Sequence, residues 1–280
     1  MILAGITLYN PDLPVLKKNI ETLIDQVDAL VLVDNGSKEV SSWESEVLGE
    51  FPQVHLIKND GNKGIAVALN QIYTYAKEIG CEWVLTVDQD SCCPKDIIAS
   101  YWKYTDIDRV GAICPVVCDR NYQNRDKIQG EYTLVDKCIT SAAFTSVKVW
   151  EEVGGFLEAL FIDFVDHDFS AKLVEHGYKI IRANTVCLEH EIGKGRTYHF
   201  LWRRVTTFNH PPFRKYYQVR NWVYYIKAHK RVICVPCEWC RFAFFFVKTF
   251  LYEKNRKEKF REMRRGMKDA KEFCRQNIRA

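Results

Sequence analysis

No stretch of about twenty consecutive apolar residues occurs in this chain, so no segment reads as a membrane-spanning helix. The first residues, Met1-Ile2-Leu3-Ala4-Gly5, have neither the basic lead nor the cleavage site of an export leader, and they read as a strand. Proline is scarce, with eight in 280 residues, and no Pro/Ser linker, internal repeat or low-complexity tract interrupts the chain. That lack of punctuation favours one catalytic-type domain, residues 1–225, followed by a helical tail, residues 226–280. Cysteine is plentiful, but its count of eleven is odd. With no leader, free thiols in a reducing cytosol are the expectation. Cys234, Cys237 and Cys240 have C-x-x-C-x-x-C spacing, but no fourth ligand for zinc or an iron–sulfur cluster stands nearby. They read as small apolar residues on one helix face.

The formal net charge of +4 hides an uneven distribution. From residue 241 onward there are thirteen Lys and Arg against five Asp and Glu; the rest of the chain has twenty-seven against thirty-one. A basic tail on a mildly acidic body points to an anionic partner. Residues 239–252, "WCRFAFFFVKTFLY", are strongly aromatic yet carry Arg241 and Lys248. Aromatic residues beside basic ones suit a helix lying in a membrane interface. The expected location is therefore cytoplasmic, peripheral on the inner face of the membrane. No nucleic-acid-binding module accompanies the charge.

Residues 2–8, 29–33, 54–58 and 84–87 read as strands, with amphipathic helices over 14–27 and from Ala66 through Ala76. Strands alternating with helices predict a parallel α/β sheet. The second half predicts strands at 110–117 and 180–188 and a helix over 169–176. Three polar clusters end the early strands: Asp34-Asn35, residues 59–64, and Asp88-Gln89-Asp90. Ligands of such sheets bind at the carboxyl ends of strands, so one shared pocket is expected. Two carboxylates one residue apart repel unless a cation or solvent compensates. Closely spaced aspartates suit Mg²⁺ or Mn²⁺, which take one or two carboxylates and complete their shell with water and phosphate oxygens. A solvated turn would use the same residue types, and a bare D-x-D is a weak motif.

The ordered series "TLYNP", "VLVDNGS", "NDGNKGIAVALN", "WVLTVDQDS", "LFIDFVDHD", "LEHEIG" and "YYQVRN" resembles the inverting family-2 glycosyltransferases of GT-A fold. More narrowly, "DQDS" with "FIDFVD" resembles the bacterial rhamnosyltransferases that build surface polysaccharides. The resemblance covers about residues 2–225 and implies a mostly parallel sheet flanked by helices. It implies a nucleotide-sugar donor, dTDP-L-rhamnose by the narrower likeness, and a glycan or lipid-linked glycan acceptor. Thr7 and Asp34 match positions that contact base and ribose. Asn62, Lys63, Gly64 and Asn70 match the segment that closes over the nucleotide, with Gly64 allowing close backbone approach. Asp88 and Asp90 match the metal pair, with Asp90 the more direct ligand, and His190 matches a histidine that completes the metal or diphosphate site. Asp166 falls on the catalytic base, although Val165 stands where the broader family often has Glu, which leaves Asp163 a rival. Asp168 is free to cap the following helix. Arg220 and Asn221 suit a phosphate or acceptor sugar, or equally a packed helix. The loop 193–196, "GKGR", could fold over the diphosphate.

A UDP-hexose donor on the same scaffold is the near alternative. Haloacid-dehalogenase-type phosphatases also use D-x-D after a strand, but on the first strand, and here it follows about the fourth. A nucleotidyltransferase would want a Gly-rich, Arg-containing loop where this chain has "TLYNP". A non-catalytic nucleotide- or glycan-binding protein is the remaining alternative.

Overall fold

The computed structural model describes residues 1–118, 130–189, 195–200 and 203–278. The first half runs β1 (Ile2–Leu8), α1 (Leu13–Ile24), β2 (Ala29–Asp34), α2 (Val40–Glu50), β3 (His55–Lys58), α3 (Ile65–Glu78), β4 (Trp83–Asp88) and α4 (Ile97–Trp102). The second half runs β5 (Val110–Cys118), β6 (Tyr132–Val135), β7 (Ala143–Ser146), α5 (Val147–Glu152), α6 (Val165–Glu175), β8 (Lys179–Glu189), β9 (Arg196–Phe200), β10 (Arg203–Thr207), α7 (Pro212–Ala228), α8 (Val235–Tyr252) and α9 (Arg256–Asn277).

Among the described residues eight strands form one sheet in the order β3-β2-β1-β4-β7-β5-β8-β6, and β9 pairs with β10 apart from it. β3, β2, β1 and β4 are parallel, and β5 is parallel to β8. β7 runs against both β4 and β5, and β6 runs against β8. The central strands are mostly apolar because both faces are covered. Leu3, Val31, Val33 and Val84 face one core, with α3 and α5 to α9. Ala4, Ile6, Leu30, Leu32, Leu85 and Val87 face the other, with α1, α2 and α4. From β1 the chain steps to β2 and β3 on one side, and β4 adds on the other. The boundary between β1 and β4 is thus a topological switch point, where ligands of open α/β sheets settle.

Three expectations change. The helix expected from residue 169 begins at Val165, so Asp166 and Asp168 both lie inside its first turn. The expected boundary after residue 225 falls within α7, and the tail shares the main core through Phe242, Phe245, Met263 and Phe273. Not all cysteines are free: Cys118 pairs with Cys187, and Cys234 with Cys237. Neighbouring strands β5 and β8 bring the first pair's Cα atoms to 5.8 Å, and one turn at the start of α8 brings the second pair's to 5.3 Å. Among the described residues, no helix is long and apolar enough to cross a membrane.

Candidate active site

The strand-end clusters stand side by side at one edge of the sheet, but none of their residues lines the cleft at the start of α6. Thr7 on β1 stands in register with Asp88 on β4, and Leu8 with Asp34 on β2. After β4 the chain turns tightly, with the Ser91 N–H donating to the Asp88 carbonyl at 3.1 Å. The Gln89 amide bonds both backbone groups of Tyr9 and so ties this turn to the end of β1. Asp88 is half-buried and Asp90 exposed. Two hard oxygen donors on a closed turn at the switch point fit one flank of a Mg²⁺ or Mn²⁺ site. Among the described residues no three His, Cys, Asp or Glu side chains gather to hold a metal unaided. His190 lies outside the described residues, as does part of the loop 193–196.

Asp34 is fully buried, and its carboxylate accepts from the Gly36 and Ser37 N–H groups and the Ser37 hydroxyl. It fixes the loop after β2. Its neighbour Asn35 organises the next cluster: its amide donates to the Gly64 carbonyl at 3.1 Å, and its oxygen accepts from the Lys63 N–H at 3.0 Å. Asn62 accepts from the Gly64 N–H and from Asn35, while the exposed Lys63 pairs with Asp60. Gly64 does permit a close approach, but by this chain's own Phe161. A Cβ on Gly64, where φ is 90°, would stand 2.6 Å from the Phe161 carbonyl. That carbonyl accepts the first N–H of α3, from Ile65, at 2.8 Å.

The segment before α6 is held in uncommon backbone geometry, with positive φ at Phe161, Asp163 and Phe164. Such geometry persists only where surroundings over-determine it. Here α7 supplies the surroundings. Asn221 donates to the Leu160, Ile162 and Asp163 carbonyls, and Arg220 donates to those of Ala159 and Leu160. Arg220 is buried, with its guanidinium 4.0 Å from the Phe273 ring centroid. It therefore braces the loop instead of facing a phosphate. Asn70 likewise differs from its expected place over the nucleotide. Its oxygen accepts from Trp150 and the Phe156 N–H, and its nitrogen donates to the Phe156 carbonyl and Glu158. All four of its hydrogen-bonding positions are used within the protein.

Asp163, Asp166, His167, Arg214, Gln218, Trp222 and Thr140 line a cleft of about 310 Å³. Asp163 forms a bidentate pair with Arg214, at 2.6 and 3.1 Å. Burial and the Arg214 charge push His210 down to about 4, so its neutral ring can accept from Arg214 at 3.3 Å. Among the described residues Asp166 has no arginine partner; its Oδ1 accepts from the backbone N–H and ring Nδ1 of His167, both at 2.9 Å. Burial works to raise the Asp166 carboxyl, but the His167 charge and hydrogen bonds outweigh it and hold the group below the usual carboxylate value. Asp168 does not cap the helix. It is buried on His229 at 2.9 Å and Lys172 at 2.9 Å.

Thr140 and Ser141 join the cleft to the strand-end turn. The Ser141 hydroxyl donates to Ser91 at 2.8 Å and accepts from the Asp88 N–H, while Thr140 lines the cleft beside Asp166. Ser141 gave no signal in its small apolar stretch. Arg214 and Gln218 sit in "RKYYQ", where arginine and glutamine among aromatic residues were a usable hint.

A mostly parallel sheet flanked by helices, with a strand-end aspartate turn and a carboxylate-lined cleft, is the architecture of a GT-A-type α/β protein. Residues 4–172 match glycosyl transferase family 2, and the chain belongs to that family. It is 30% identical over 239 residues to a dTDP-rhamnosyl transferase, RfbF of Shigella flexneri, covering 79% of this chain and 78% of that protein. Solved structures show the same fold at low identity. The mannosyltransferase PcManGT of Pyrobaculum calidifontis, in complex with GDP-Man and Mn²⁺, superposes with a TM-score of 0.61 at 17% identity, over 100% of this chain and 76% of that one. S. aureus TarS 1-349 with UDP-GlcNAc gives 0.60 at 15%, over 96% and 80%. GalNAc-T7 with UDP, GalNAc and Mn²⁺ gives 0.61 at 13%, over 81% of this chain but only 48% of that longer one. The protein is thus a rhamnosyltransferase-like glycosyltransferase.

Proposed function

We propose that the enzyme transfers L-rhamnose from dTDP-L-rhamnose to a sugar hydroxyl of a growing glycan, with inversion at the anomeric carbon. The donor rests on the 30% identity to a dTDP-rhamnosyl transferase. The roles of the residues rest on one observation above all: Asp166 lines a cleft joined through Thr140-Ser141 to the Asp88 turn.

Asp166 is the general base. Ionised at neutral pH and partly exposed to the cleft, it takes the proton of the acceptor hydroxyl as that oxygen attacks the anomeric carbon. The new glycosidic bond forms as the bond to the diphosphate oxygen breaks, and the electron pair leaves with dTDP. Asp163 is the weaker candidate, because the Arg214 guanidinium already occupies both its oxygens. Trp222 and Phe164 offer apolar surface for a sugar ring. Thr7, Asp34 and the loop 59–64 border the nucleotide end of the site. Asp88 and Asp90, with His190, would hold Mg²⁺ or Mn²⁺; when bound, that ion neutralises charge on the departing diphosphate.

The test combines binding and turnover. The thermal midpoint should rise with dTDP plus Mn²⁺ and much less with UDP or GDP. Asp166→Asn should keep that shift while turnover falls by about 10²–10⁴-fold. A UDP-specific shift would replace the donor, and full turnover by the variant would remove Asp166 as base.

A further inference from the structure

We infer that the outer faces of α8 and α9 form a docking surface for an anionic lipid bilayer, with α8 lying in the plane of the interface. α8 has three charged residues, and none stands on its outer face. Glu238 is buried, and Arg241 and Lys248, seven residues apart, share one flank. The side opposite the buried Glu238, Phe242, Phe245 and Thr249 carries Trp239, Cys240, Ala243, Phe244, Val247, Phe250 and Leu251, all exposed. Phe250 is 57% exposed. A solvent-facing helix surface with no charged residue over four turns calls for a cover.

α9 shows what that cover is. Lys257, Arg261, Arg264, Lys268, Lys271 and Arg275 follow a 4-3-4-3-4 spacing, which sets them on one face of the helix, and all six are exposed. Few acidic groups offset them. Exposed Glu258 stands beside the stripe, Glu262 pairs with Arg265 at 2.9 Å and with Arg261 at 3.6 Å, Asp269 accepts from Tyr216 of α7, and Glu272 pairs with Arg275 at the stripe's end. Phe260, between the stripe and the core, meets Phe246 and Phe250 of α8 at ring-centroid distances of 6.2 and 6.3 Å, and Arg256 lies over Phe250 at 5.7 Å. The apolar face and the cationic stripe therefore adjoin. Aromatic insertion beside a basic row matches an anionic headgroup layer over acyl chains. A second copy of this chain fits worse, because a two-fold contact through α8 would bring the two cationic stripes toward each other. No described helix can span a membrane, so the contact is in-plane.

Vesicle flotation of the full chain, without donor or acceptor, tests this independently of the glycosyl-transfer reading. Expected is recovery with phosphatidylglycerol-containing vesicles and little with pure phosphatidylcholine, weakened by salt. Arg264→Glu/Lys268→Glu/Lys271→Glu should weaken binding at least about tenfold. Val247→Ser/Leu251→Ser, at two exposed positions of the same face, should do the same, and both variants should keep the wild-type thermal midpoint. Equal recovery with both vesicle types, no recovery with either, or variants that bind like wild type would overturn the inference. So would a dimer abolished by Val247→Ser/Leu251→Ser, which would assign the face to a second copy.

Discussion

Gly64 carries two demands at one residue: a positive φ and backbone contact with Phe161. Gly64→Ala would push against the carbonyl that receives the first N–H of α3, and that carbonyl belongs to the segment positioning Asp163 and Asp166. The neighbour is backbone, so it cannot swing aside. The substitution should cost about 3 kcal/mol, combining φ strain with displacement of a packed loop. Thermal unfolding should show the loss, and donor binding should weaken with it. An unchanged midpoint would mean that the two loops are not mutually braced. Asn35 is the other half of this arrangement, since its single amide holds Asn59, Asn62, Lys63 and Gly64 in one shape.

Between elements, α6 and α7 are locked by His229. The imidazole meets Asp168 at 2.9 Å on one nitrogen and Glu175 at 3.1 Å on the other, almost wholly out of water. Burial works against its charge, but the Asp168 and Glu175 carboxylates win and raise it above the ordinary histidine value. Burial likewise opposes the Asp168 charge, but His229 and Lys172 together hold its carboxyl low. The signs follow from linkage. The raised histidine contributes stability that is complete below about pH 6.5 and fades as pH climbs through its folded value. The lowered aspartate contributes above about pH 4 and fades as pH falls through its own. The lock is fullest between those limits. The thermal midpoint should therefore drop from about pH 6 to about pH 9, and His229→Gln should be less stable at pH 6 and lack most of that slope. A wild-type midpoint that is flat over this range would contradict the assignment.

At the scale of the whole molecule, the tail is structural as well as peripheral. α9 lies along α7 so closely that a Cβ on Gly266 would stand 2.5 Å from the Tyr216 carbonyl. Buried Glu253, in the link between α8 and α9, joins Lys215 of α7 and Lys259 of α9, each at 2.8 Å, and accepts from Thr207. Leaving Lys215 without that carboxylate would strand a buried cation, costing about 3–5 kcal/mol. A chain ending after residue 225 would bare the core surface that Phe242, Phe245, Met263 and Phe273 cover, and it should lack a cooperative unfolding transition, checked by calorimetry against the full chain. A stable, cooperative fragment would restore the two-part organisation expected from composition.

Local pattern carries much of the molecule. Apolar strands ending in polar clusters are written in consecutive residues, so the parallel half-sheet, its switch point and the places of Thr7, Asp34 and Asp88 are legible in the sequence. The aromatic, basic character of the tail is legible for the same reason. What is not legible depends on partners distant in the chain. Asp163 and Asp166 look alike in "FIDFVDHD", and only α7, arriving some fifty residues later, gives one of them an arginine. Asn70 and Arg220 match binding motifs, yet packing spends their hydrogen bonds on the loops 156–158 and 159–163. Sequence alone determined which groups reach the edge of the sheet, because strand period and turn chemistry are local. Tertiary structure decided which of them remain available to a ligand, because a side chain's availability depends on what folds against it.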